Sequence, residues 1–339
     1  MEEYIINRKR FYKYTKPISV VIVILTALFF VFFLCDNVDF SFDDNTNKTK
    51  QEKNNEKKYT ILDEVEDKNL NLKFTPIWTS DTQNFEYAVS VLDATRIMKI
   101  SIPETYANHK VTAIRSKGFS SSRITSVYLS ENIKNIDSYA FYNCSFLSAV
   151  YLNNGLESIS AYVFSQCPSL TYITLPASVS QISYATFNQA KELTRIHVDA
   201  TNNYFCSVDG VLYSKNKDIL YRYPEGRIDS SYKVETGVSV IDICAFYNCS
   251  SIKNIDLPQT LKEIKVQALL NTSIKILTIN SELEKIGRNV FPTTIEKIKY
   301  AGSKEQWENI ASNDIYSKIN GTYIIPSIEY NYKDGIEET

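Results

Sequence analysis

Histidine and methionine are scarce in this chain, with two of each among 339 residues, and glycine and proline stand at nine each. The two histidines, His109 and His197, lie far apart in sequence. No serine sits in a G-x-S-x-G context, and P-loop, H-E-x-x-H and G-x-G-x-x-G motifs are all missing. Hydrolytic and nucleotide chemistry therefore lack their usual signatures. None of the six cysteines forms a C-x-x-C pair, which speaks against a zinc site. A net charge of −2 argues against nucleic acid as the main ligand, because phosphate binding needs a basic surface. Low glycine and proline likewise exclude collagen-like or linker-like composition. The expectation is a non-catalytic protein with no cofactor and no bound metal.

Two properties are abundant: tyrosine, at 24 residues, and a repeated aliphatic pattern. The pattern L-x-x-I-x-L runs through Ile124-Val127-Leu129, Leu147-Val150-Leu152, Leu170-Ile173-Leu175 and Leu193-Ile196-Val198, each 23 residues after the last. It is present upstream at Ile97-Ile100-Ile102 and resumes at Ile252, Ile274 and Ile295. A second pattern lies between these, as in Ile133-Ile136-Phe141 and Leu156-Ile159-Phe164, and the segment Ala140–Ser145 recurs letter for letter at Ala245–Ser250. A fixed period in this range is the signature of a solenoid. Each coil cannot bury its apolar face alone, so stacked coils pair their strands in parallel, about 4.8 Å apart. The fold class expected is α/β leaning mostly β, a leucine-rich-repeat solenoid with a parallel sheet and short helical or 3-10 turns.

The N-terminus differs in kind. Residues 1–17 carry five basic against two acidic side chains, and residues 18–35 carry no charge. As a helix the apolar run would span about 27 Å, close to the hydrocarbon thickness of a bilayer. Basic before and acidic after predicts a single-pass signal anchor with residues 1–17 cytoplasmic and the repeats extracytoplasmic. Cleavage, giving a secreted or lipid-anchored protein, is the alternative. Residues 36–58 hold eleven charged residues and read as a disordered linker with a reach of about 25 Å. Residues 59–96 and 301–339 fit the template poorly and read as caps on a solenoid spanning 97–300. In the second cap, Ser303 can N-cap a short helix whose Trp307 and Ile310 fold onto the last coil. The long gap between Leu193 and Ile252, with its Asp209-Gly210 turn signal, reads as one coil carrying a β-hairpin insertion at about 199–232.

The 23-residue unit Ile133 to Cys144, the insertion Ser207–Ser214 and the end segment Gly302–Ile310 together resemble the BspA-like leucine-rich-repeat surface proteins. That resemblance implies a curved solenoid displayed on a cell surface or secreted, a role in protein binding or adhesion, and no catalytic residue. The residues themselves add a candidate surface. Period-2 alternation points the third and fifth positions of L-x-x-I-x-L outward, which gathers Tyr128, Tyr151, Tyr172, Arg195 and His197 on neighbouring coils. Tyrosine and arginine are favoured at protein-binding hot spots, whereas a ladder of tyrosines also serves strand pairing alone. The expected partner is an unidentified protein at the cell surface. A carbohydrate or cell-wall ligand is the alternative, and a structural ectodomain without its own ligand the third reading. Cys144 and Cys167 share one phase of adjacent coils and read as buried thiols, with a disulfide or a metal cluster as the alternative. Asn-x-Ser/Thr sequons stand at Asn47, Asn143, Asn248, Asn271 and Asn320, those at Asn143 and Asn248 crowded by the neighbouring cysteine.

Overall fold

The computed structural model describes residues 63–78 and 85–333, so the anchor expected at 18–35 and the linker at 36–58 lie outside the described residues. Among the described residues no helix is long and apolar enough to cross a membrane. The fold is a mostly-β leucine-rich-repeat solenoid with parallel strand ladders and a single α-helix among the described residues, Lys304–Ile310.

Each coil contributes two strands. The longer one holds the repeat aliphatics in register, so that Val127 lies opposite Val150, Ile173 opposite Ile196, and Leu277 opposite Ile298. The shorter is a two-residue strand, with Ile136, Ile159 and Ile182 forming one column. A one-residue slip would turn each set to solvent, which is why the period holds. Between the strands, Phe119, Phe141, Phe164 and Phe187 stack with centroids 5.1, 5.6 and 6.0 Å apart, all buried. Their turns cross the coil by main-chain bonds, as from Phe141 N to Val163 O at 3.1 Å.

The turn geometry explains the recurrent Ala-Phe-Tyr-Asn-Cys-Ser. Two residues per turn adopt a left-handed backbone, two before and two after the phenylalanine: Tyr139 and Asn143 in one coil, Cys244 and Asn248 in another. Asparagine tolerates that region better than other non-glycine residues. Asn143 Nδ2 also donates to Ser121 Oγ at 3.1 Å, and Asn271 Nδ2 to Asn248 Oδ1 at 2.8 Å. The asparagines of those sequons thus have a backbone reason to be there.

The insertion differs from the hairpin of 199–232 expected above. Phe205–Val208 and Val211–Ser214 form a hairpin, and Ile219–Arg222 adds a third antiparallel strand. Ser231–Lys233, however, pairs in parallel with Asn254–Asp256, placing Tyr232 opposite Ile255. Residues 229–251 are therefore a regular coil in which Asp229 stands where the repeat leucine is expected. The extra length, 13 residues beyond one period, belongs wholly to the coil that begins at Leu193.

The inserted strand lies between two cores. Phe205 and Leu212 join the N-terminal apolar cluster, whereas Val211 and Tyr213 join the C-terminal one. Its turn is fixed from both sides. Ile196 N donates to Gly210 O at 2.9 Å and Ser207 Oγ to Ile196 O at 2.6 Å. From the other side, Arg227 pairs with Asp209 and Asp229, each at 2.7 Å. The short-strand ladder breaks here, between Gln181–Ile182 and Ile219–Arg222. A shallow cleft at the break is lined by Tyr184, Tyr221, Arg222 and Cys244 among others.

Both ends depart from the repeat template in ways set by their sequences. Leu72–Trp78 and Phe85–Val91 pair antiparallel, and the latter joins His109–Ile114 in parallel. His109 stacks on Phe85 at 3.8 Å, a packing role. At the other end, Ser303 and Gln306 form a capping box, and buried Trp307 meets Tyr300 at 5.1 Å. Ser327–Glu329 then pairs in parallel with Lys297–Lys299, so the segment closes one more coil around its helix.

Candidate functional site

The longer strands position the candidate residues. Buried Val127 and flanking Tyr128 show the alternation directly, and Tyr128, Tyr151 and Tyr172 are 38%, 46% and 51% exposed. Tyr128 and Tyr151 face each other across paired strands, rings stacked at 4.3 Å and 5° from parallel. The neighbouring Tyr128 hydroxyl holds the pKa of Tyr151 above the ordinary tyrosine value.

The five residues do not share one hydrogen-bonded sheet. Met98–Ser101, Ile124–Tyr128 and Ala149–Tyr151 form one ladder, and Tyr172–Leu175 with Arg195–Val198 form the next. Tyr128 and Tyr151 lie on the first. Tyr172 lies directly opposite Arg195 on the second, as Thr174 does opposite His197. Arg195 and His197 are exposed, and the stem of Arg195 covers Gly210. Ser126, in an outward position, is nevertheless only 5% exposed.

Sequence reasoning missed part of this face. Arg123 sits 5.1 Å over the ring of Phe146, which is 43% exposed. Both occupy the position just before the repeat aliphatic, a column that the strand alternation does not cover. Exposed Lys99 continues the third-position column one coil earlier. Among the described residues no group of His, Cys, Asp or Glu is arranged to hold a metal ion.

The cysteine column belongs to the turns. Cys144 Sγ donates to Phe119 O at 3.0 Å, Cys167 Sγ to Phe141 O at 3.1 Å and Cys249 Sγ to Tyr223 O at 3.6 Å. Each is a buried, free thiol tying its coil to the preceding one. Burial pushes the Cys249 thiol up to about 12.

The BspA type leucine rich repeat region model matches six copies over residues 92–207 and 229–330, skipping the inserted strand and its return. The chain belongs to the BspA-type leucine-rich-repeat family. Among solved structures, this BspA-type chain is similar in fold to the pneumococcal vaccine antigen PcpA, at 18% identity and a TM-score of 0.50, covering 79% of this chain and 85% of that one. A leucine-rich repeat protein from Eubacterium ventriosum matches at 17% identity and a TM-score of 0.52, over 76% and 82% of the two chains. No curated protein matches the chain.

Proposed function

We propose that this protein is a membrane-anchored, extracytoplasmic member of the BspA-type family that binds a protein partner through its longer-strand face, without catalysis. The carrying observation is the stacked, half-exposed Tyr128–Tyr151 pair beside Tyr172 on consecutive coils. Stacking fixes the rings before any partner arrives, so little side-chain entropy is lost on binding. Tyrosine combines large apolar area with a hydroxyl handle, as hot spots require. Family membership supports a protein-binding or adhesion role, and the uncharged run 18–35 after a basic segment supports the anchor.

Chemical crosslinking on intact cells expressing the full chain tests the reading, beside a Tyr128/Tyr151/Tyr172→Ala variant. Wild type should yield a discrete protein adduct that the variant loses. Equal adducts from both would remove the tyrosine face from the account. Alkaline extraction and protease shaving of the same cells test the anchor: retained membrane association with repeats digested from outside is the expected pair of results.

A further inference from the structure

The outward face is electrostatically divided. In the C-terminal coils the charges at the third and fifth positions are already answered: Lys233 pairs with Asp256 at 3.8 Å, Lys297 with Glu329 at 2.6 Å, and Lys299 lies 4.4 Å over the Tyr332 ring. In the coils from Met98 to Val198 the third and fifth positions hold Lys99, Arg195 and His197 but no carboxylate. Lys99, Arg123 and Arg195 are exposed, and none enters an ion pair among the described residues. The nearest acid in the flanking column is Glu192, one residue before Leu193.

Resting on the function proposed above, we infer that the partner presents an acidic segment of polypeptide to this half of the face. Two unanswered cations, Lys99 and Arg195, with Arg123 held over the Phe146 ring and half-exposed tyrosines between them, favour a ligand offering a few carboxylates together with apolar contact. Complementary charge steers such a partner and fixes its register. Arginine opposite a carboxylate adds bidentate geometry. A polyanionic chain suits the surface less well. Its affinity comes from many cations releasing many counterions, whereas here the cations are few and separated by tyrosines on a chain of net charge −2.

The test uses the full chain in detergent and a fluorescein-labelled 20-residue poly-L-glutamate as probe, read by anisotropy. Poly-L-lysine and heparin of similar length run in parallel. Glutamate polymer should bind and lysine polymer should not, with affinity falling at least tenfold between 50 and 500 mM salt. Arg195→Glu and Lys99→Glu should each weaken binding about tenfold. Lys285→Glu, exposed on the shorter-strand side and equal in charge change, should leave it unaltered. Arg195 packs on Gly210, so Lys99→Glu serves as the variant that spares the insertion. Absence of glutamate-polymer binding, equal loss with Lys285→Glu, or tighter binding of heparin through the same residues would each overturn the inference. A crosslinked cellular protein that persists in Lys99→Glu and Arg195→Glu would overturn it too, while leaving the tyrosine face standing. Absence of any crosslinked protein from wild type would strike the proposed function itself.

Discussion

The ring of Tyr151 lies 4.3 Å from that of Tyr128, with the two planes 5° apart. Both residues stand directly opposite each other on parallel strands, so the stack is a product of register and repeats only because the coil length does.

That pair contributes modestly to stability. Cross-strand aromatic pairs are worth roughly 0.2–1 kcal/mol, so Tyr151→Ala should lower the thermal midpoint by a few degrees at most. A melt followed by circular dichroism checks this. A large loss would mean that the ring is a structural strut, and a binding role would lose its rationale.

Gly210 is expected to be intolerant. Its φ is +79°, and a Cβ there would meet Arg195 Cγ at 3.0 Å. Left-handed strain of a non-glycine residue costs on the order of 1–3 kcal/mol before any clash. Gly237→Ala shares the positive φ, at +100°, but meets nothing within 4 Å. Urea titration should therefore show Gly210→Ala as the more destabilised of the two. Equal midpoints would contradict the packing of the inserted turn on Arg195.

The phenylalanine column should fail locally. Phe141 is fully buried between Phe119 and Phe164, and Phe→Ala in a core costs about 3–5 kcal/mol. Coils contact mainly their neighbours, so hydrogen exchange in Phe141→Ala should quicken around residues 119–164 far more than around 264–291. Phe146→Ala, on the surface, should leave exchange unaltered.

Alkaline pH should weaken the fold. Burial raises Cys249 to about 12 and also raises Tyr213 and Tyr223 above the ordinary tyrosine value. An unfolded thiol ionises near 8.5 and an unfolded tyrosine near 10. Because the folded state holds these protons longer, their contribution is intact below about pH 8.5 and declines as pH climbs toward 12. The urea midpoint should be flat from pH 7 to 8 and fall by pH 10.5. A midpoint constant through pH 10.5 would contradict this.

Much of the architecture was legible because one physical demand, stacking apolar columns, repeats its residues at a fixed interval. The Ser303 cap and Trp307 were legible for a different reason, since capping is local chemistry. The seam was not. Asp229 occupies the expected leucine position and is held by Tyr223 at 2.6 Å and Arg227 at 2.7 Å, so a full coil fell silent in the aliphatic pattern. Tyr232 and Val234 fill the remaining core positions of that coil, yet no repeat leucine announces them. Within the candidate face, outward alternation located Tyr128, Tyr151 and Tyr172. The break in the ladder after Tyr151 depends on strand separation that no spacing encodes. Arg123 over Phe146 was hidden because it lies outside the strand.

The most direct measurement places the photocrosslinker benzoylphenylalanine at position 151 of the full chain on living cells, and at position 162 as control. Tyr162 stacks with Tyr139 at 4.9 Å in the turns of the shorter-strand side, away from the longer-strand face. The account predicts a discrete protein adduct from position 151 and none from 162. Adducts of equal yield from both positions, or none from 151, would contradict it.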